Sequence, residues 1–116
     1  AGVWVRACTV VGGHPFPTAG YALITGSGPG TGQVAREGAG PADGFSGYLI
    51  ENFPNPARPR WGDYGAAAVV GNQVWLASEY IGQSCTLATF EATRFRCGNT
   101  RTALANWDTR ISLITP

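Results

Sequence analysis

Four residues combine types that do chemistry with a spacing that one hairpin can gather: Arg60, Asp63, Tyr64 and Glu79. A guanidinium grips a carboxylate through two parallel hydrogen bonds, and a tyrosine or a carboxylate beside it can attack an electrophile or move a proton. Asp63 and Tyr64 precede one apolar run and Glu79 ends the next, so a turn between the runs would bring the four to one end of a sheet. The same residues also suit a structural arrangement, in which Arg60 and Asp63 pair to tie the turn and Tyr64 packs as an aromatic anchor. A complete catalytic constellation needs further arginines and a second acid, and the sequence alone does not place them.

A second group surrounds the cysteines. Cys85 and Cys97 bracket residues 86–96, and a bridge between them would close a short loop in an oxidising compartment. Cys8 is left over, either as a buried free thiol or as half of a bridge to a further segment or another chain. Arg94, Arg96 and Arg101 flank Cys97, with Phe90 and Phe95 among them, a combination that could bind a glycan or nucleic acid. A solvated loop decorated with arginine is the alternative, and a near-neutral chain favours it. His14 sits beside Pro15 in a turn, and no G-x-S-x-G elbow supplies it with a nucleophile. Cys8, His14, Cys85 and Cys97 are soft ligands, but no C-x-x-C or H-x-x-x-H spacing presets a zinc site, so neither metal nor cofactor is expected. The glycine-rich stretch 26–32 lacks the following lysine and helix of a phosphate-binding loop and reads as a hairpin loop.

The elements that must hold these residues are strands. Glycine and proline interrupt almost every window long enough for three helical turns. The clearest pair is 66–70 with 73–77, joined by Gly71-Asn72, where a glycine at the first central position suits a type II′ turn. Nearly every residue of both runs is apolar, which is the pattern of strands covered on both faces. A second hairpin joins 20–24 to 33–37 through 25–32, and further strands are expected at 3–11, 45–50 and 109–114. Trp4, Trp61, Trp75 and Trp107 read as core residues, Trp75 above all. Laying one hairpin on the other aligns Gly20-Tyr21-Ala22 with Asp63-Tyr64-Gly65-Ala66, and Val34 with Val74. The spacing is roughly 40 residues, the period of a propeller blade. One unit, 1–116, would thus hold two approximate repeats, 1–52 and 53–116.

Bulk composition agrees. A chain of 116 residues with 13% charged and 44% hydrophobic residues and 17 glycines is neither a solvated helical bundle nor a disordered tail. Its formal net charge of +1 offers no field to steer it toward nucleic acid or an anionic membrane. No apolar run approaches the roughly 20 residues that span a bilayer. Methionine is absent, so Ala1 is expected to follow a cut, and any secretory signal is expected to have been removed.

Three blocks carry a resemblance: Arg60-Trp61-Gly62-Asp63-Tyr64-Gly65-Ala66-Ala67, Val74-Trp75-Leu76-Ala77-Ser78-Glu79-Tyr80-Ile81 and Asn106-Trp107-Asp108-Thr109-Arg110-Ile111. They resemble the closing region of secreted bacterial proteins with sialidase-like, BNR-type propeller repeats. The stretches from His14 to Tyr21 and from Gly38 to Phe45 resemble the preceding blade. The resemblance covers most of the chain, and its RWGDY and ASEYI blocks are the distinctive part. It implies export and a repeat architecture. In sialidase-like enzymes arginines clamp a substrate carboxylate and a tyrosine paired with a glutamate is the nucleophile, roles that would fall here on Arg60, Tyr64 and Glu79. The chain departs from the family in length, because the blades that complete a ring are missing.

The expected fold is therefore all-β, with antiparallel sheets in two propeller-blade-like repeats that form a partial β-propeller. Two blades leave apolar faces uncovered. The expected function is a secreted structural or interaction module, not an enzyme by itself, that self-associates or completes a larger propeller. A fragment of a sialidase-like glycoside hydrolase and a carbohydrate-binding module are the alternatives. The expected partners are other copies or the remainder of a parent propeller, with a glycan as a further candidate.

Overall fold

The computed structural model describes residues 2–13, 15–43, 62, 64–99 and 106–116, and these form seven strands with one short α-helix. The strands are β1 (Trp4–Val10), β2 (Thr18–Thr25), β3 (Gly28–Pro29), β4 (Gln33–Arg36), β5 (Ala66–Val70), β6 (Gln73–Ile81) and β7 (Trp107–Ile114), with α1 (Leu87–Ala92) between the last two. All strand pairs are antiparallel. In the first sheet β2 is central, with β1 along one side and β3 and β4 along the other. The second is a meander, β5-β6-β7. The expected strand at 45–50 lies outside the described residues, as do His14, Arg60, Trp61, Asp63 and Arg101.

Turn chemistry sets the register of the second sheet. Gly71 has φ +62 and Asn72 is not among the positive-φ residues, the pattern of a type II′ turn, and Val70 consequently faces Gln73. The hairpin of β2 and β4 is looser. Its loop folds back as β3, held by the Gly30 amide donating to the Leu23 carbonyl at 2.8 Å, and the β2–β4 register shifts between Ala19 and Gly20. A side chain at Gly20 would meet the Gln33 carbonyl and Val10 Cγ2 at 3.0 Å, so only glycine lets β1, β2 and β4 approach this closely. Tyr21 sits inside β2 opposite Gln33, whereas Tyr64 precedes β5, so the two aligned tyrosines occupy different places in their hairpins.

The two sheets stack on their inner faces. Residues opposite one another across a ladder share a face, and alternate residues of one strand do too. Leu76 and Ser78 of β6 and Ile114 of β7 share the inner face of the second sheet and are buried. Ala19 of β2, fully buried, shares the inner face of the first with Thr9, whose hydroxyl donates to the Glu79 carbonyl at 3.1 Å. Backbone bonds continue this seam, from the Ile81 amide to the Pro17 carbonyl at 3.0 Å and from the Ala39 amide to the Ile81 carbonyl at 2.7 Å.

Two buried polar side chains close the seam. Asn106 is 5% exposed, and its amide nitrogen donates to the carbonyls of Pro41 at 3.0 Å and Gln83 at 3.3 Å. Its side-chain oxygen accepts from the Asp43 amide at 3.4 Å, and its backbone carbonyl accepts from Gly82 at 3.1 Å. Thr18 donates from its hydroxyl to the Phe16 carbonyl at 2.6 Å and accepts there from the Gly38 amide at 3.0 Å. Both side chains satisfy backbone groups that irregular segments would otherwise leave unpaired.

Two sequence expectations need correction. β5 is exposed at all of its positions, Val69 at 73%, so this strand is not covered on both faces by its own chain. Trp4 is 74% and Trp75 42% exposed, which places both on outer surfaces rather than in the core. Apolar composition alone does not say which strands the chain itself covers.

Candidate functional site

The first candidate is the end of the second sheet where Tyr64 and Glu79 lie. Tyr64, two residues before β5, is 80% exposed rather than packed as an anchor. Glu79 lies near the end of β6 and its carboxylate accepts a hydrogen bond from the Gly62 amide. Gly62 has φ +77, a left-handed conformation that suits glycine, and the Glu79 carboxylate thereby fixes the chain just ahead of β5. A cleft of about 140 Å³ opens between the sheets here, lined by Ala7, Cys8, Thr9, Gly62, Tyr64, Gly65 and Ser78. That is below the roughly 300 Å³ at which ligand pockets begin. Tyr64 and Cys8 are the titratable groups of this lining, and Arg60 and Asp63 fall outside the described residues.

The second candidate is the cystine loop. Cys85 and Cys97 are bonded, with their Cα atoms 6.0 Å apart, the usual span of a disulfide. Inside the loop Thr86 caps α1, its hydroxyl oxygen accepting from the Thr89 amide at 3.2 Å. Phe90, buried, meets Phe95 with ring centroids 5.0 Å apart. The chain leaves the helix through left-handed Arg94 (φ 53) and Phe95 (φ 68), which lets the Phe95 amide reach the Phe90 carbonyl at 2.7 Å. Arg94 and Arg96 are both exposed, on either side of a half-exposed Phe95. Their expected companion Arg101 lies outside the described residues.

The third candidate is larger than either and was not singled out as a site by sequence. On the outer face of the second sheet, Trp75 lies opposite Ala68 on β5 and Leu113 on β7, and Ala77 lies opposite Ala66 and Ile111. Val70, beside Gln73, extends the row. Val70, Trp75, Ile111 and Leu113 are all substantially exposed. On the outer face of the first sheet Trp4, Arg6, Cys8 and Val10 stand in line along β1, opposite Ile24, Ala22, Gly20 and Thr18, with Val34 of β4 beside Gly20. Trp4 and Val34 are exposed and Cys8 is a half-buried free thiol. Antiparallel sheets with one wet face normally alternate apolar and polar residues; here exposed apolar side chains stand on each outer face beside Arg6 on the first sheet and Gln73 and Glu79 on the second.

Among the described residues no helix is long and apolar enough to cross a membrane, and no group of three or more His, Cys, Asp or Glu side chains could hold a metal ion. Comparison of the chain with family models, with curated proteins and with solved structures finds no match in any of the three.

Proposed function

We propose that this chain is an exported β-sheet interaction module whose two outer faces are completed by further β-sheet, from other copies or from the rest of a parent propeller. The observation that carries this reading is the row Val70, Trp75, Ile111 and Leu113, aligned by the strand register and open to solvent. Large contiguous apolar patches on a folded chain mark surfaces that something else covers. The Cys85–Cys97 bridge is compatible with an oxidising, extracytoplasmic compartment.

The test is whether dilute protein presents these faces. An apolar dye such as anilinonaphthalene sulfonate is expected to bind the dilute wild type. A Trp75→Ser/Leu113→Ser variant with an unchanged circular dichroism spectrum is expected to bind much less. A dilute wild type that melts cooperatively and leaves the dye in water would contradict the reading.

A further inference from the structure

We infer that the tip of the cystine loop, Arg94-Phe95-Arg96, is a preformed binding site for an anionic polysaccharide, one with carboxylate or sulfate groups on its sugar rings. None of these residues belongs to the outer sheet faces, so the inference stands or falls separately from the role of those faces.

The backbone supplies the first observation. The helix α1 ends in a complete Schellman motif: the Phe95 amide donates to the Phe90 carbonyl at 2.7 Å and the Arg94 amide to the Glu91 carbonyl at 3.2 Å, with the Phe90 and Phe95 rings in contact. The left-handed position of this motif falls on Arg94 (φ 53), where glycine is the usual residue. Folding alone therefore favours glycine at this position, and the arginine is held in a strained conformation. Phe95 (φ 68) and Cys97 (φ 48) are left-handed as well, although one such residue suffices to end a helix. Residues of this kind cluster at ligand-holding and switch segments, where the surrounding structure enforces them. Here the Phe90–Phe95 contact holds one side of the tip, and the bridge from Cys85 to the buried Cys97 holds the other.

The side chains supply the second. Arg94, Phe95 and Arg96 are three successive exposed residues between half-buried Thr93 and buried Cys97. Neither guanidinium has an ion-pair partner among the described residues. Each can grip two oxygens of a carboxylate or sulfate through parallel hydrogen bonds, and a phenyl ring stands between them in the chain. An acidic sugar answers to both features, with its charged group on a guanidinium and the C–H face of its ring on the phenyl. Because the tip is already fixed, little ordering opposes binding.

The amount of charge selects among polyanions. Affinity for nucleic acid grows with the number of phosphates neutralised, and this tip on a chain of net charge +1 neutralises few. A sugar ring with one acidic group asks for no more than the tip offers.

Isothermal titration calorimetry of the oxidised chain tests the site, with polygalacturonate oligomers, dextran sulfate, uncharged dextran and a single-stranded oligonucleotide as probes. Wild type is expected to bind polygalacturonate or dextran sulfate, the tighter of the two identifying the anionic group, and to leave dextran free. Arg96→Gln is expected to weaken binding roughly tenfold, the loss of one charge-assisted contact. Arg94→Gly is expected to weaken it by a similar factor while leaving the denaturation midpoint unchanged or raised, since glycine suits this backbone. Replacing Cys85 and Cys97 together by serine is expected to weaken binding with both arginines still present. A wild type that binds neither acidic polymer would overturn the site, and so would binding that survives Arg94→Gly and Arg96→Gln. A lowered midpoint with undiminished binding in Arg94→Gly would assign the arginine to the helix end instead. An oligonucleotide bound more tightly than either acidic polymer would overturn the polysaccharide as the ligand.

Discussion

The seam between the two sheets and the outer faces of those sheets are built from opposite materials. At the seam, directional bonds join polar groups: Asn106 bonds Pro41, Gln83 and Asp43, Thr18 bonds Phe16 and Gly38, and Thr9 bonds Glu79, while Gln83 Oε1 and Trp107 Nε1 are buried without a partner. The apolar contribution there is small, centred on Ala19, Leu76 and Ile114, and Ile81, on the face of β6 that carries Trp75, is buried as well. The outer faces reverse this, with large apolar side chains in register and little polar matching. Directional bonds fix one arrangement of the sheets, while undirected apolar surface is available for a partner. One chain therefore holds a specified interior contact and exposed apolar side chains on both outer faces.

Mutations on the two sides of this contrast should separate stability from association. Leu76→Ala removes a buried side chain from the seam and is expected to destabilise the fold by about 2–5 kcal/mol, read as a lowered denaturation midpoint at unchanged m-value. Replacing Cys85 and Cys97 together by serine reopens the loop, whose ends are separated by 12 residues, and is expected to cost about 2–4 kcal/mol. Dye binding at the outer faces should survive that change, since no residue of those faces lies in the loop. Asn106→Ala leaves the Pro41 and Gln83 carbonyls without their side-chain donor, and a loss of about 1–3 kcal/mol is expected in chemical denaturation. Leu113→Ser sits at the other end of the scale. It is expected to shift stability by only about 0.5 kcal/mol, as exposed substitutions do, while lowering the binding of the apolar dye. If Leu113→Ser destabilised the monomer as much as Leu76→Ala, the contrast between seam and face would be broken.

Much of the strand framework was legible because local chemistry decided it. Gly71 followed by Asn72 admits one tight hairpin, and the apolar runs on either side lock its register. The all-β, antiparallel character and the Cys85–Cys97 bridge were legible for the same reason. The helix α1 was not. It has six residues, too few for periodicity to register, and it is held by the Thr86 cap, the bridge and the Phe90–Phe95 contact, which act across the loop rather than along it. Trp4 and Trp75 were misplaced because residue type alone does not say which face of a sheet a side chain stands on. Of the residues grouped at Tyr64, the structure describes only Tyr64 and Glu79; Tyr64 stands in solvent, and Glu79 ties down Gly62.

Oxidative footprinting of side chains by hydroxyl radicals, read by mass spectrometry across a dilution series, tests the central claim most directly. In the most dilute sample Trp75, Ile111 and Leu113 should be labelled rapidly while Leu76, one residue from Trp75 but on the seam, stays protected. If Trp75 and Leu113 in the dilute monomer were as protected as Leu76, the chain would be covering this surface itself, contradicting the account.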